Sequence, residues 1–466
     1  MRVARAANRF AATAAAALLL VTAQPALTTA ESAPSNAVPP PLDRSLVPVD
    51  APPQADLTYA RTSKPCKASV EGRKLTAKPH AQLVLRLDEA HRFATGKGVK
   101  IAIIDTGVRP HQRLDDRVQA GGDYVVTADQ GLVDCDGHGT EVAGVAAASR
   151  DEETGFVGAA PDATILSIRQ TSAFYAATTP GPDGRTVPGA VATLAQSIVH
   201  AVELGADVIN VSLTACGPPR TPGKGERSVQ AAIDWAVNTK DVVVVAAAGN
   251  IAPDGTGCTT QNDNLDEENV KVVASPPWYR DDVLSVASVD REGRPSKFSV
   301  WGPWVSIAAP GEEITTVDLR GEGLTDVSIA DDGKEGAIQG TSFAAPYVAG
   351  VAALVRERHP ELTARQVVQR LTSTAQHPGN QDGRDRKVGA GVIDPVAALT
   401  SDLTRERSGA LVPELPPLVT DLGSHPTGPD RTPLTVALAG SGVAAALLLL
   451  TLFLIHTARK VRARRG

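Results

Sequence analysis

An α/β fold with a mostly parallel central sheet is predicted by three observations. Short apolar runs recur at Val99–Ile104, Ala163–Ile168, Val208–Leu213, Val242–Ala247 and Val283–Val289. They are nearly continuous rather than alternating, as strands buried on both faces require. Segments with helical spacing separate several of them, most clearly Val142–Ala148, Leu194–Leu204 and Val229–Val237, and strand–helix alternation is the mark of an open α/β sheet. Polar residues stand directly after the runs: Asp105 after the first, Ser212 and Thr214 at the end of the third, Asn250 after the fourth. Open parallel sheets hold their ligands at the carboxyl ends of the strands, so this placement marks a site.

Taken in order, the chain opens on Arg2, Arg5 and Arg9, an uncharged run Phe10–Val21, and small residues between Ala23 and Ala30. That pattern predicts a secretory signal over residues 1–30, with an uncleaved N-terminal anchor as the alternative. A Pro-rich extension follows over residues 31–78, densest at Ala33–Pro53. The α/β body occupies residues 79–400, and a second Pro-rich stretch, 401–433, reads as a stalk. Leu434–Ile455 then runs for 22 positions without a charge, about 33 Å as a helix and enough to span a hydrocarbon core. The span is placed at 434–456 as a C-terminal transmembrane helix. The basic tail 457–466 is expected in the cytoplasm by the positive-inside rule, which puts the body outside the cell membrane.

Composition narrows the function. Of 466 residues, 46 are basic and 52 acidic, for a net charge of −6. Eight of the bases lie in the two end segments, leaving the body at −14. An acidic body argues against nucleic acid as a partner, since phosphate binding needs clustered Lys and Arg. Cys66, Cys135, Cys216 and Cys258 in an exported chain suggest two disulfides, and four cysteines allow three pairings. Asp151-Glu152-Glu153 and the acidic stretch Asp263–Glu268 have no metal-loop spacing and read as solvated turns. No metal or cofactor is expected. Ala173–Gly189, with Pro180, Gly181, Pro182 and Gly184, reads as an insertion near the cleft.

Three motifs carry chemistry: Asp105-Thr106-Gly107, His138-Gly139-Thr140, and Gly340-Thr341-Ser342-Phe343-Ala344-Ala345-Pro346. They supply an acid, a base and a hydroxyl. Serine is a weak nucleophile until an imidazole takes its proton, and the imidazole needs a carboxylate to fix its tautomer. Alone, Asp-Thr-Gly is usually a turn; all three in the order Asp, His, Ser are not a coincidence of turns. Phe343–Val355 has helical spacing, with Pro346 expected near the first turn. A helix N-terminus beneath Ser342 would bring N–H groups to a developing oxyanion.

At these motifs the chain resembles the subtilisin-like serine proteases, over roughly Gly96–Leu399. The resemblance implies a subtilisin-like three-layer fold, a catalytic triad of Asp105, His138 and Ser342, and an oxyanion-hole amide at Asn250. It implies substrate binding along Ser212-Leu213-Thr214 and Ala247-Ala248-Gly249. Phe343 stands where the family usually has Met, and Thr214 where it usually has Gly. The domain order, Pro277-Trp278-Tyr279 and Gly302-Pro303-Trp304-Val305 are similar to the mycosins, membrane-anchored proteases of type VII secretion. That implies protein or peptide substrates, a secretion membrane complex as partner, and an extension that wraps the body; a removable propeptide is the rival reading. The favoured disulfides are Cys66–Cys135, clamping the extension near His138, and Cys216–Cys258, joining segments that follow two strands ending at one edge. Two other functions compete with an exported-protein peptidase: a structural component of the complex, and a general quality-control protease.

Overall fold

The computed structural model describes residues 36–67, 75–182, 184–220, 222–252, 257–263, 269–329, 334–380, 382–403 and 432–462. The expected signal segment and nearly all of the expected stalk lie outside them. The chain divides into two units, Met1–Leu411 and Val412–Gly466.

In the first unit, short β1 (Tyr59–Arg61) precedes helices α1 (His80–Val84) and α2 (Leu87–Ala90). Then come β2 (Lys100–Asp105), β3 (Val118–Asp123), α3 (His138–Ala147), β4 (Thr164–Arg169) and β5 (Tyr175–Ala177). Next are α4 (Val191–Glu203), β6 (Val208–Val211), β7 (Ala215–Gly217), α5 (Lys224–Asn238) and β8 (Val243–Ala247). β9 (Val273–Ser275), β10 (Leu284–Val289), β11 (Ile307–Pro310), β12 (Thr316–Val317) and β13 (Leu324–Thr325) follow. The unit closes with α6 (Thr341–Arg358), α7 (Ala364–Ser373) and α8 (Pro395–Thr400).

Seven strands form the central sheet in the order β11-β10-β8-β6-β2-β4-β3, and every pairing within it is parallel. The apolar runs become β2, β4, β6, β8 and β10, and residues such as Ile101, Ile103, Val244 and Val245 are fully buried. Helices α3 and α6 pack on each other, as do α4 and α5, and both pairs lie on the sheet. Two strands escaped the apolar pattern. β3 reads Val-Gln-Ala-Gly-Gly-Asp and is partly exposed, and β11 is only four residues long. As an edge strand β3 buries less surface, so its sequence is less constrained, whereas β11 is fully buried and escaped because it is short.

Helix α6 starts at Thr341 and buries fifteen residues, Thr341 to Val355. Its approach to α3 is close: a Cβ on Gly350 would lie 2.5 Å from the Ala159 Cβ and 3.0 Å from the Ala146 carbonyl oxygen. Pro346 is the sixth residue of the helix, past the first turn. Its missing N–H leaves the Ser342 carbonyl without its i+4 donor. The Ser212 hydroxyl fills that vacancy, donating to the Ser342 oxygen at 2.8 Å.

The extension lies along the body. Asn36 exchanges bonds with the Val270 backbone, and the Trp278 indole donates to the Ala37 carbonyl. Arg44 pairs with Asp234, Asp43 with Arg227 and Asp50 with His200. β1 then pairs antiparallel with β5 inside the insertion. Disulfides join Cys66 to Cys135 and Cys216 to Cys258. Asp151 accepts from the Glu153 amide in an exposed turn.

The second unit carries α9 (Thr432–Arg462), onto which the uncharged run Leu434–Ile455 falls. Among the described residues no helix is long and apolar enough to cross a membrane.

Candidate active site

β8, β6 and β2 are neighbours in the sheet, and their carboxyl ends deliver three expected site segments to one edge. Asp105 is the last residue of β2, Ser212 follows β6, and Asn250 stands three residues beyond β8. His138 and Ser342 sit in the first turns of α3 and α6, the two helices packed together on the sheet.

Asp105 is fully buried. Its Oδ1 accepts from the Thr106 amide and from His138 Nδ1, both at 2.7 Å. That bond places the Nδ1 proton toward the carboxylate and leaves Nε2 as the basic nitrogen. Burial presses the imidazole toward its neutral form, but the Asp105 charge and hydrogen bond more than reverse this. Glu141 and Asp134 add to the effect, and the His138 pKa is raised to about 9. The ring keeps 28 % of its side-chain surface open while Asp105 is fully buried, and stands 5.5 Å from the Phe343 ring, centre to centre. Phe343 thus packs on the base.

A buried hub holds this pair. Asp134 Oδ1 accepts from the Thr106 hydroxyl at 2.9 Å and the Gly137 amide at 2.7 Å. Its Oδ2 accepts from the Thr140 amide and hydroxyl. The Thr106 hydroxyl in turn accepts from the Gly139 amide at 2.9 Å. One carboxylate therefore ties the loop after Asp105 to the turn that begins α3. Burial, helped by the Asp105 charge, raises the Asp134 pKa to about 6 against the lowering effect of the Thr140 hydroxyl and the Thr140 and Gly137 amides. Gly137 caps α3 at φ +79°, and a Cβ there would meet Leu319 at 2.3 Å, so glycine is required just before the base. Asp136 binds the Ser172 hydroxyl and the Ala173 amide, linking the same turn to the insertion.

Ser342 is 8 % exposed. Its hydroxyl donates to the Ser212 carbonyl at 3.2 Å, and it shares no hydrogen bond with His138 among the described residues. Asn250 is oriented by Thr341: its Oδ1 accepts from the Thr341 amide at 2.9 Å and lies 3.0 Å from the Thr341 hydroxyl. An amide N–H can only donate, so the oxygen faces Thr341 and the Asn250 NH2 is turned the other way. The Thr341 hydroxyl also accepts from the Gly249 amide at 3.2 Å.

The expected substrate residues divide. Leu213 and Thr214 line an open groove of about 230 Å³ together with Thr171, Pro188, Val191 and Leu194. The Thr214 hydroxyl donates to the Ala247 carbonyl at 3.0 Å. Ala247, Ala248 and Gly249 are buried. The backbone of this segment is engaged, Ala248 donating to Val286 and Gly249 accepting from Val300. Sequence reading missed Asp134, Asp136, Glu141 and the roles of Thr106 and Thr341. Asp134 and Asp136 flank Cys135 four and two residues before His138, a spacing that could have flagged them.

A model of the subtilase family matches residues 96–391 of the chain. Mycosin-1 of Mycobacterium tuberculosis is 42% identical over 445 residues, which cover 92% of this chain and 96% of that protein. The crystal structure of MycP1 from the ESX-1 type VII secretion system is similar with a TM-score of 0.72 and 41% identity, covering 78% of this chain and 96% of that one. A chain in the structure of an intact ESX-5 inner membrane complex also matches with a TM-score of 0.72, at 37% identity, covering 88% of this chain and 97% of that one.

Proposed function

This chain belongs to the subtilase family, and within it to the mycosins, and from that premise we propose that it is a serine endopeptidase held at the outer face of the cell membrane, cleaving exported proteins beside a type VII secretion complex. The observation that carries the chemistry is the bond from His138 Nδ1 to the buried Asp105 carboxylate, with Asn250 fixed by Thr341 one residue before Ser342. Ser342 Oγ turns from the Ser212 carbonyl toward His138 Nε2, which takes its proton as Oγ attacks the peptide carbonyl. Asp105 stabilises the imidazolium. The Asn250 amide and the Ser342 N–H, free of an intrahelical partner in the first turn of α6, hold the oxyanion. His138 then protonates the leaving amine, and water releases the acyl group.

Substrate binds extended along Ser212-Leu213-Thr214. Anchoring rests on Leu434–Ile455, uncharged and followed by Arg459, Lys460, Arg462, Arg464 and Arg465. The domain limits follow: signal 1–30, extension 31–78, peptidase 79–400, stalk 401–433, span 434–456, tail 457–466.

Labelling with a fluorophosphonate tests the chemistry. Label on the wild type and none on Ser342→Ala is the expected result; no label on either, with the extension present or trimmed, defeats the reading. A scaffold role is favoured by one observation, the similar chain inside an inner membrane complex. Secretion that survives Ser342→Ala but not deletion of the gene would separate that role from catalysis.

A further inference from the structure

The groove beside Leu213 and Thr214 has a wall that the body does not hold alone. Pro188 and Gly189 end the insertion, and both line the groove. From inside, the Thr171 hydroxyl donates to the Pro188 carbonyl at 2.9 Å and the Gln170 amide to the Ala190 carbonyl at 3.0 Å. From outside, the grip comes from the extension through Arg185. Its Nη1 donates to the Val187 carbonyl at 2.8 Å and to the Tyr59 hydroxyl at 2.7 Å, and its Nη2 binds the Asp56 carboxylate. Tyr59 closes the triangle by donating to Asp56 at 2.7 Å. The Arg185 side chain is 19% exposed and that of Asp56 25%, so the cluster is partly shielded from water.

β1 carries the same strap along the insertion. Tyr59, Ala60 and Arg61 pair with Ala177, Ala176 and Tyr175, and backbone bonds continue it at both ends, from Thr178 to Thr58 and from Thr62 to Phe174. Beyond β1, Cys66 fixes the strap covalently to Cys135, three residues before His138. The insertion is thus held between the extension and the body, and its last residues form a side of the groove that begins next to Ser212.

We propose that residues 56–62 of the extension are part of the substrate-recognition apparatus: acting through Arg185, they fix the wall Val187–Ala190 and so set a preference for an apolar side chain in the peptide upstream of the scissile bond. Pro188, Val191, Leu194 and Leu213 supply apolar lining, and the one charged lining residue, Glu226, is already engaged by Arg220 and the Gly223 amide. Asp56, Tyr59 and Arg185 are positioning residues, since none lines the groove. The extension is then neither an inhibitor to be shed nor a mere stabiliser. The inference rests on the peptidase reading above.

The test uses the full chain in detergent and four acetylated tetrapeptide p-nitroanilides: tetra-alanine and the three with one Leu at the first, second or third residue. For the wild type, Leu at one position is expected to raise kcat/KM at least tenfold over tetra-alanine, through KM. In Asp56→Ala/Tyr59→Phe, and independently in Arg185→Met, that preference falls below threefold. Meanwhile kcat on tetra-alanine and the fluorophosphonate labelling rate stay within twofold. A variant that keeps the preference overturns the inference, as does a wild type that cuts all four peptides equally. Collapse of the fold in both variants also overturns it, because the strap would then belong to the core. A wild type that takes no label and cuts nothing defeats the peptidase reading itself.

Discussion

In the mechanism proposed above, the protonation of His138 decides when the site works. With its pKa raised to about 9, the basic form is scarce at neutral pH. The value of kcat/KM is expected to rise about tenfold per pH unit between pH 6 and 8 and to level off above about 9. Glu141, 3% exposed and one helical turn beyond His138, contributes to that shift. Its own pKa is raised to about 7, burial outweighing the nearby Lys67 charge. Glu141→Gln should move this rising limb toward lower pH, read from a pH–rate profile. The stability effect has a definite sign. Glu141 binds its proton more tightly folded than unfolded, so stability falls as pH rises from its ordinary 4.5 to about 7. His138 acts in the same direction, its contribution full below 6.5 and lost through about 9. Thermal melts should therefore show Glu141→Gln more stable than wild type at pH 8, by about 3 kcal/mol, and equal to it at pH 4. Thr341→Val should cost roughly tenfold in kcat with KM unchanged, because Asn250 loses its orienting hydroxyl. The three motifs around Asp105, His138 and Ser342 were legible in the sequence as a set in chain order, and the structure joins the first two by the His138–Asp105 hydrogen bond. Asp134 and Thr341 were not legible, because their roles depend on loops meeting in space.

At the scale of elements, Pro346 and Ser212 form one device. Ser212→Ala would leave the Ser342 carbonyl unsatisfied and should cost about 1–3 kcal/mol. In a Pro346→Ala background the restored helical N–H takes over, and the same substitution should cost much less; urea unfolding of the four proteins measures the difference. The device is invisible to pattern reading, which places Pro346 by helix rules alone. Buried strands were legible for the opposite reason: β2, β4, β6, β8 and β10 are covered on both faces, and mostly apolar residues satisfy that, interrupted by a few buried polar ones such as Ser167, Asn210 and Ser285. Helix α7 was readable by rule but passed over. Thr363 accepts from the Gln366 amide, and the Gln366 side chain returns to the Thr363 N–H, a capping box spelled out in Thr-Ala-Arg-Gln. Between α6 and α3, Gly350→Leu should destabilise by about 1–3 kcal/mol or more, since neither Ala159 nor the Ala146 backbone has room to retreat.

Over the whole molecule, the extension touches α5, α4, the insertion and the turn before His138 in succession. Each contact is a modest surface interaction, and the disulfide makes them cooperative. Closing 69 residues is worth about 4 kcal/mol in the chain-entropy account. Cys66→Ser/Cys135→Ser should lower the melting temperature accordingly and detach the strap first, seen as faster hydrogen exchange at Tyr59–Arg61 and Tyr175–Ala177 than at β8. The same bridge has a topological consequence. It closes the chain into a ring that contains Asp105 and stops just short of His138. A protease that cuts the ring once between Cys66 and Cys135 opens a loop without releasing a fragment. The nicked protein would run as one band on a non-reducing gel and as two after reduction, with both halves of the site still in place. Trimming of this molecule must therefore be judged by what leaves, not by what is cut.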